Sequence, residues 1–188
     1  LNRMSRRVVA GEPVYHFLYT ADDERILSVA APPGGGDLEF HWTLRDFGGK
    51  VLREYVSTPA ALVPTPDYIF RGDQPLGEED FTTPTPPPYH LTLDHLGTPR
   101  LKTSTTGAVV QKWKYFPFGE EAIPATQAGT ALRFTGHERD RFNFGGVGDD
   151  VEYLHARHKS PVVGRFLGVD QVQGRTEAPQ SLNRFSYA

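Results

Sequence analysis

A chain of 188 residues is long enough for one sizeable domain or for a piece of something larger. It contains no cysteine, so disulfides cannot staple it and stability has to come from burial and strand pairing. A net charge of −3 without a long basic run gives no electrostatic footprint for nucleic acid, and no apolar stretch approaches the roughly 20 residues of a membrane-spanning helix.

The chain opens on Leu1 rather than Met and carries no recognisable signal peptide, so it reads as a fragment. Arg3, Arg6 and Arg7 read as one solvated face of an exposed strand. From there the helical period is nearly absent. What recurs is an aromatic-led extended run, a turn rich in Asp or Gly, and a second apolar or β-branched run, the pattern of β-hairpins. The first copy is Phe17-Leu18-Tyr19, a turn at residues 20–24, and Arg25-Ile26-Leu27. In the second, Trp42-Thr43-Leu44-Arg45 turns through Asp46-Phe47-Gly48-Gly49 into residues 50–55. There Trp42 and Leu44 share one face and Thr43 and Arg45 the other, the alternation of a strand with one wet side. Gly48-Gly49 supplies the positive φ of a tight turn.

The third copy, Tyr68-Ile69-Phe70-Arg71, Gly72-Asp73 and Gln74-Pro75-Leu76, contains a proline that predicts an edge or an interrupted strand. The fourth runs from Tyr89 through Asp94-His95-Leu96-Gly97-Thr98-Pro99 to Thr103, and a fifth begins at Val109 and stops at Phe116-Pro117-Phe118-Gly119. The leading aromatics Phe17, Trp42, Tyr68, Tyr89 and Trp113 recur at a spacing that fits stacked repeats and equally fits a β-sandwich of similar hairpins. Residues 31–36, 80–88, 123–130 and 142–148 read as loops, the proline-rich 80–88 as a surface connector. Residues 152–170 read as hairpin material about a Ser160-Pro161 turn, with Asp170 at its exit: Pro161 fixes its own φ and biases Ser160 towards extended backbone.

These motifs resemble YD repeats and, in the second half, the Rhs repeat-associated core. The matching pieces are Asp94-His95-Leu96-Gly97-Thr98-Pro99-Arg100, Tyr115-Phe116-Pro117-Phe118-Gly119-Glu120, and Arg133-Phe134-Thr135-Gly136-His137-Glu138-Arg139-Asp140. Tyr153-Leu154-His155-Ala156-Arg157, Gly164-Arg165-Phe166-Leu167, Asp170 and Asn183-Arg184-Phe185-Ser186-Tyr187 complete the set. The resemblance implies an all-β fold of antiparallel β-hairpin repeats, part of a spiralling β-sheet shell with few or no helices. Residues 1–88 would be hairpin repeats and residues 89–188 the core region, incomplete at its C-terminal end. It further implies a bacterial, secreted or cell-surface protein that encapsulates a C-terminal toxin of the polymorphic type. Its partners would be the rest of the shell, the enclosed polypeptide and secretion-system or toxin-complex components. The alternative reading is a cell-surface carbohydrate- or partner-binding array without cargo. The chain departs from the pattern in three ways: His158-Lys159 stands where two aromatics are usual, Gln171 follows Asp170 in place of proline, and the sequence stops at Ala188 before a downstream Asn-Pro segment and second acidic motif.

In that family the core of many members is a self-cleaving aspartyl protease, which needs two carboxylates sharing a proton. The resemblance puts Asp170 at the first acid and Arg165 at the arginine of the GRF motif, conditional on the missing downstream acid. The plainer reading makes Asp170 a turn cap and packs Arg165 on an aromatic. Asp149, Asp150 and Glu152 read as a solvated acidic loop. His155 and His158, three apart on a strand, would face opposite ways, so with His137 they make no expected metal site, and no cofactor is expected. Ser160 before proline has no reason to be nucleophilic. The repeat aromatics read as cross-strand packing rather than a sugar platform. An incomplete array leaves strand edges unpaired, which predicts association of the isolated chain.

Overall fold

The computed structural model describes residues 3–8, 13–32, 34–79, 88–122, 131–140 and 150–187. The expected loops at 80–87, 123–130 and 142–148, and Asp149, lie outside them. The described chain is all-β. Ten strands form one antiparallel sheet in strict chain order: β1 (Arg6–Arg7), β2 (Val14–Tyr19), β3 (Arg25–Ala31), β4 (Glu39–Arg45), β5 (Val51–Ser57), β6 (Leu62–Arg71), β7 (Gln74–Glu79), β8 (Pro88–Leu93), β9 (Pro99–Thr103) and β10 (Val109–Lys112). Four more, β11 (Glu138–Asp140), β12 (Val151–Leu154), β13 (Arg157–Ser160) and β14 (Arg165–Phe166), form a small antiparallel sheet, again in chain order.

One turn is used repeatedly. In it the first residue donates its N–H to the carbonyl of the fifth, and the fourth donates back to the carbonyl of the first. Asp46 N–H reaches Lys50 O at 2.9 Å and Gly49 N–H reaches Asp46 O at 3.1 Å, and the same pair of bonds closes the turns opened by Thr20, Asp94, Ser104, Phe116 and Arg133. The fourth residue is left-handed, Gly49 at φ +83°, which is why glycine recurs there. Asp23 holds that position in the first turn at φ +69°. The opening side chain often completes the loop: Asp46 Oδ1 accepts from the N–H groups of Gly48 and Lys50, and Asp94 Oδ1 from those of Leu96 and Thr98. Register shifts sit beside four of the hairpin turns, at Leu18/Tyr19, Leu44/Arg45, Ile69/Phe70 and Thr92/Leu93, as an extra residue at the turn requires.

Two expectations need correction, and a third holds in its second form. Pro75 lies in β7, between β6 and β8, so the strand is not an edge but its pairing is interrupted there. The strand accommodates it because β8 pairs only with Gly77 to Glu79 and the β6 ladder is shifted there. In residues 152–170 the first turn comes earlier than Ser160-Pro161: β12 and β13 pair Leu154 with Arg157, and His155 takes φ +50° between them. The Ser160-Pro161 turn is the second, closing on Gly164 N–H to Ser160 O at 2.9 Å. In β4 the wet side is reversed: Trp42 and Leu44 are 41% and 52% exposed, whereas the Arg45 side chain is 6% exposed and points at the small sheet.

The apolar core is thin and lies between the sheets. Phe17 of β2 packs with Val151 of β12, and Val51 of β5 and Tyr68 of β6 pack with Leu132, just before β11. Each inward residue is followed by an exposed one, Leu18, Leu52 and Ile69, so strand alternation gives the large sheet one face for the small sheet and one apolar face turned away from it.

Candidate functional site

Asp170 follows β14, at the point where the chain runs beside the C-terminal segment. Phe166 N–H donates to Phe185 O at 3.0 Å, Asp170 N–H to Arg184 O at 2.9 Å, and the Arg184 guanidinium returns a bond to Asp170 O. The carboxylate itself caps a turn, accepting Val172 N–H at 2.9 Å on Oδ1, while Oδ2 lies 3.0 Å from Arg157 Nη1. The cation at Asp170 is therefore Arg157, at the head of β13. Its guanidinium also stacks on Phe166 at 3.6 Å, the aromatic contact expected of Arg165. Arg165 is exposed and reaches Asn183 Oδ1 at 3.4 Å. Arg157 was present in the sequence motif, but only the tight turn at His155 brings it alongside Asp170.

The segments that carry the family resemblance converge on the small sheet, and register explains how. Residues directly opposite in adjacent strands point to the same face. Glu138, Tyr153 and His158 make one row across β11, β12 and β13, and Arg139, Glu152 and Lys159 make the next. The two rows face opposite ways and both are buried.

The second row alternates in charge. Lys159 Nζ lies 2.6 Å from Glu152 Oε2, and Arg139 Nη2 donates to Glu152 Oε1 at 2.5 Å. Arg139 continues to Glu121 at 3.3 Å, which also accepts from Arg133 Nε at 3.0 Å. Lys159 donates to the Phe118 carbonyl at 3.0 Å and lies 4.0 Å from the Tyr187 ring. Burial lowers its pKa against the pull of Glu152. Glu152, expected in a solvated loop, is instead fully buried between two cations, because the strand that carries it is covered on both faces. Phenyl rings press on the glycine backbone here: a Cβ on Gly119 would meet the Phe134 side chain at 2.7 Å, and one on Gly164 would meet the Phe118 side chain at 2.8 Å.

The first row forms the seam with the large sheet. Glu138 Oε2 lies 3.2 Å from Arg25 Nη2, its Oε1 lies 2.6 Å from Arg45 Nη1, and Arg25 also pairs with Asp140. Arg25 lies 4.5 Å from the Tyr153 ring centre, and its N–H donates to the Tyr153 hydroxyl at 2.9 Å. Burial alone would raise the Glu138 carboxyl, but Arg45 and Arg25 outweigh it and hold it low. At Glu54 the balance is reversed: burial is not offset by the Tyr68 hydroxyl at 3.2 Å and the charges of Arg25 and Arg45, which pull its pKa down. Burial, with the Glu138 charge nearby, pushes it up to about 7. Beside the seam a cleft of about 470 Å³ is lined by His95, His137, His155, Lys50 and Arg45. His155 and His158 do not share a strand as expected: one sits in the turn, 2.9 Å from Glu24, and the other lies in β13. Among the described residues no group of three or more His, Asp or Glu is placed to hold a metal ion, and no helix is long and apolar enough to cross a membrane.

No protein-family model matches the chain, and no curated protein matches it significantly. Solved structures match its fold. The crystal structure of TcdB2–TccC3–Cdc42 aligns with 100% of the chain at 15% identity and a TM-score of 0.67. A Tc holotoxin pore of Photorhabdus luminescens carrying a mutated TccC3 aligns with 97% at 15% identity and a TM-score of 0.69. TcdB2–TccC3 without its hypervariable C-terminal region aligns with 97% at 15% identity and a TM-score of 0.64. The chain spans 9%, 8% and 9% of those matched chains. At such identities the likeness is one of fold, and it supports the Rhs-like architecture that the motifs imply.

Proposed function

We propose that this chain is a segment of an Rhs-type shell that encloses a C-terminal polypeptide, commonly a toxin, with residues 1–88 as repeat units and residues 89–188 as the core region that closes the strip. The observation that carries this reading is the two-sided burial of the small sheet. One row is seated on the large sheet through Arg25, Arg45 and Glu138, and the other is locked under the hairpin at residues 115–121. A sheet held from both sides suits a plug. The neighbour described without a hypervariable C-terminal region fits a segment whose fold precedes a variable cargo. Secretion-system or toxin-complex components are the partners this reading calls for, at or beyond a bacterial surface.

In the longer parent, Asp170 would be one acid of a self-cleaving pair. Such a pair activates water with one carboxylate and protonates the leaving amine with the other. Arg157 places a positive charge on Asp170, and Arg165 holds the neighbouring strand through Asn183. The test is the intact mass of the chain extended by its native downstream sequence, beside an Asp170→Asn version. Cleavage that disappears in Asp170→Asn supports the reading. An uncut product in both leaves Asp170 as the turn cap of Val172. A second reading, a surface-binding array without cargo, draws on the outward face bearing exposed Trp42, Leu44 and Ile69. An anchoring segment in the parent would favour it.

A further inference from the structure

We propose that the seating of the small sheet on the large one is acid-sensitive, with His158 as the proton sensor. The His158 ring sits in a box made by both sheets, 6.0 Å from the Phe17 ring of β2 and 5.3 Å from the Tyr153 ring of β12. It is 4% exposed, and its Nε2 is buried without a hydrogen-bond partner among the described residues. The charged groups nearest to it are Asp140 and Glu138 of β11 and Arg25 of β3, and both carboxylates are already engaged by Arg25. An imidazolium formed there is shielded from solvent and meets no unpaired carboxylate among the described residues, so it disfavours the closed seam. A phenyl ring would fill the same box without titrating.

The sign follows from linkage. Burial holds the His158 pKa down at about 4, against an ordinary value of 6.5. The closed seam has its full stability above pH 6.5 and loses it as pH falls towards 4. His137, beside the cleft and 6.4 Å from His155, is held down to about 4 by burial and the His155 charge, and acts in the same direction. Glu54 acts in the opposite direction, because its raised pKa makes the closed form bind a proton as pH falls. The informative measurement is therefore a difference between variants. It concerns the seam alone, so its failure would leave the enclosing function untouched.

Hydrogen exchange of the β11, β12 and β13 amides, corrected for intrinsic rates, would be compared in the full chain and in His158→Phe at pH 7 and pH 5. The seam-opening constant of the full chain should rise about 20-fold more than that of the variant over this range, the ratio expected for one histidine shifted from 6.5 to about 4. An equal rise in both overturns the proposal. Should His158→Phe not fold, the imidazole carbon resonances of the unaltered chain decide. A His158 still neutral at pH 5.5 supports the sensor, and one half-protonated near pH 6.5 overturns it.

Discussion

Both sheets are antiparallel and follow chain order, but they are stabilised differently. The large sheet is largely a sequence of local decisions: the turns opened by Thr20, Asp46, Asp94 and Ser104 each close within five residues, and each strand pairs with the next in the chain. Its apolar side chains alternate, yet one face remains exposed at Leu18, Trp42, Leu44 and Ile69. The small sheet is short-stranded and would be marginal alone. What holds it is two rows of buried side chains, one anchored through charge and aromatic contacts to residues more than a hundred positions away in the chain. A strip of independent hairpins tolerates local damage, whereas a small sheet fastened by interlocking ions fails when a single member is removed.

The largest effect should come from Glu152→Ala. It removes the anion shared by Arg139 and Lys159 and leaves two cations buried without it. Breaking a buried pair this way costs about 3–5 kcal/mol. Urea denaturation should show that loss, with exchange protection disappearing from the small sheet before the large one. Simultaneous collapse of both sheets would mean that they are one cooperative unit and would break the comparison.

A sharper version uses one turn in two settings. Gly107 and Gly119 occupy the same turn position at φ +82° and +93°. A Cβ at Gly107 meets nothing within 4 Å, so Gly107→Ala should cost only the left-handed penalty, about 1–2 kcal/mol. At Gly119 the Cβ would also meet Phe134 at 2.7 Å, under the lid of the small sheet, and overpacking adds about 1–3 kcal/mol. Equal losses in thermal unfolding would show that the hairpin at residues 115–121 yields freely and is not a lock.

The same division explains what the sequence revealed. The hairpins were legible because turns rich in Asp or Gly and period-two alternation are local signals, each complete within about ten residues. Alternation does not say which face is inside, so Arg45 was read as wet when it reaches Glu138 across the seam. Glu152 looked like a surface residue because lone charges usually are, and nothing local marked Lys159 as its partner. Their register, Glu152 opposite Lys159 and next to Arg139, exists only once three strands are paired. Arg157 illustrates the limit at the candidate site. Asp170 and Arg165 stand in a recognisable motif, whereas the cation on Asp170 comes from the far side of two turns.

The smallest effect tests the local side of the comparison most directly. Asp46 Oδ1 accepts two backbone N–H groups at an exposed turn, and Asp46→Ala should cost about 1 kcal/mol. Asn keeps a carbonyl oxygen at the same position, so Asp46→Asn should recover most of that loss. Asp94 makes the same two bonds, but its second oxygen also takes Arg100 Nε at 2.9 Å, and its turn touches the core where Thr135 N–H donates to Thr98 Oγ1 at 3.0 Å. Backbone donors and Arg100 outweigh burial and hold the Asp94 carboxyl below its usual range, so its contribution is present above about pH 4 and is lost on further acidification. Asp94→Asn should therefore keep the turn and lose the charge that faces Arg100, costing more than Asp46→Asn at pH 7 and converging with it as acid protonates Asp94 in the unaltered chain. Parallel urea titrations of the two Asn variants at pH 7 and through the acid range measure this. A constant difference would place the extra cost in packing against Thr135 rather than in charge, and would make the Asp94 turn as local in its stability as the Asp46 turn.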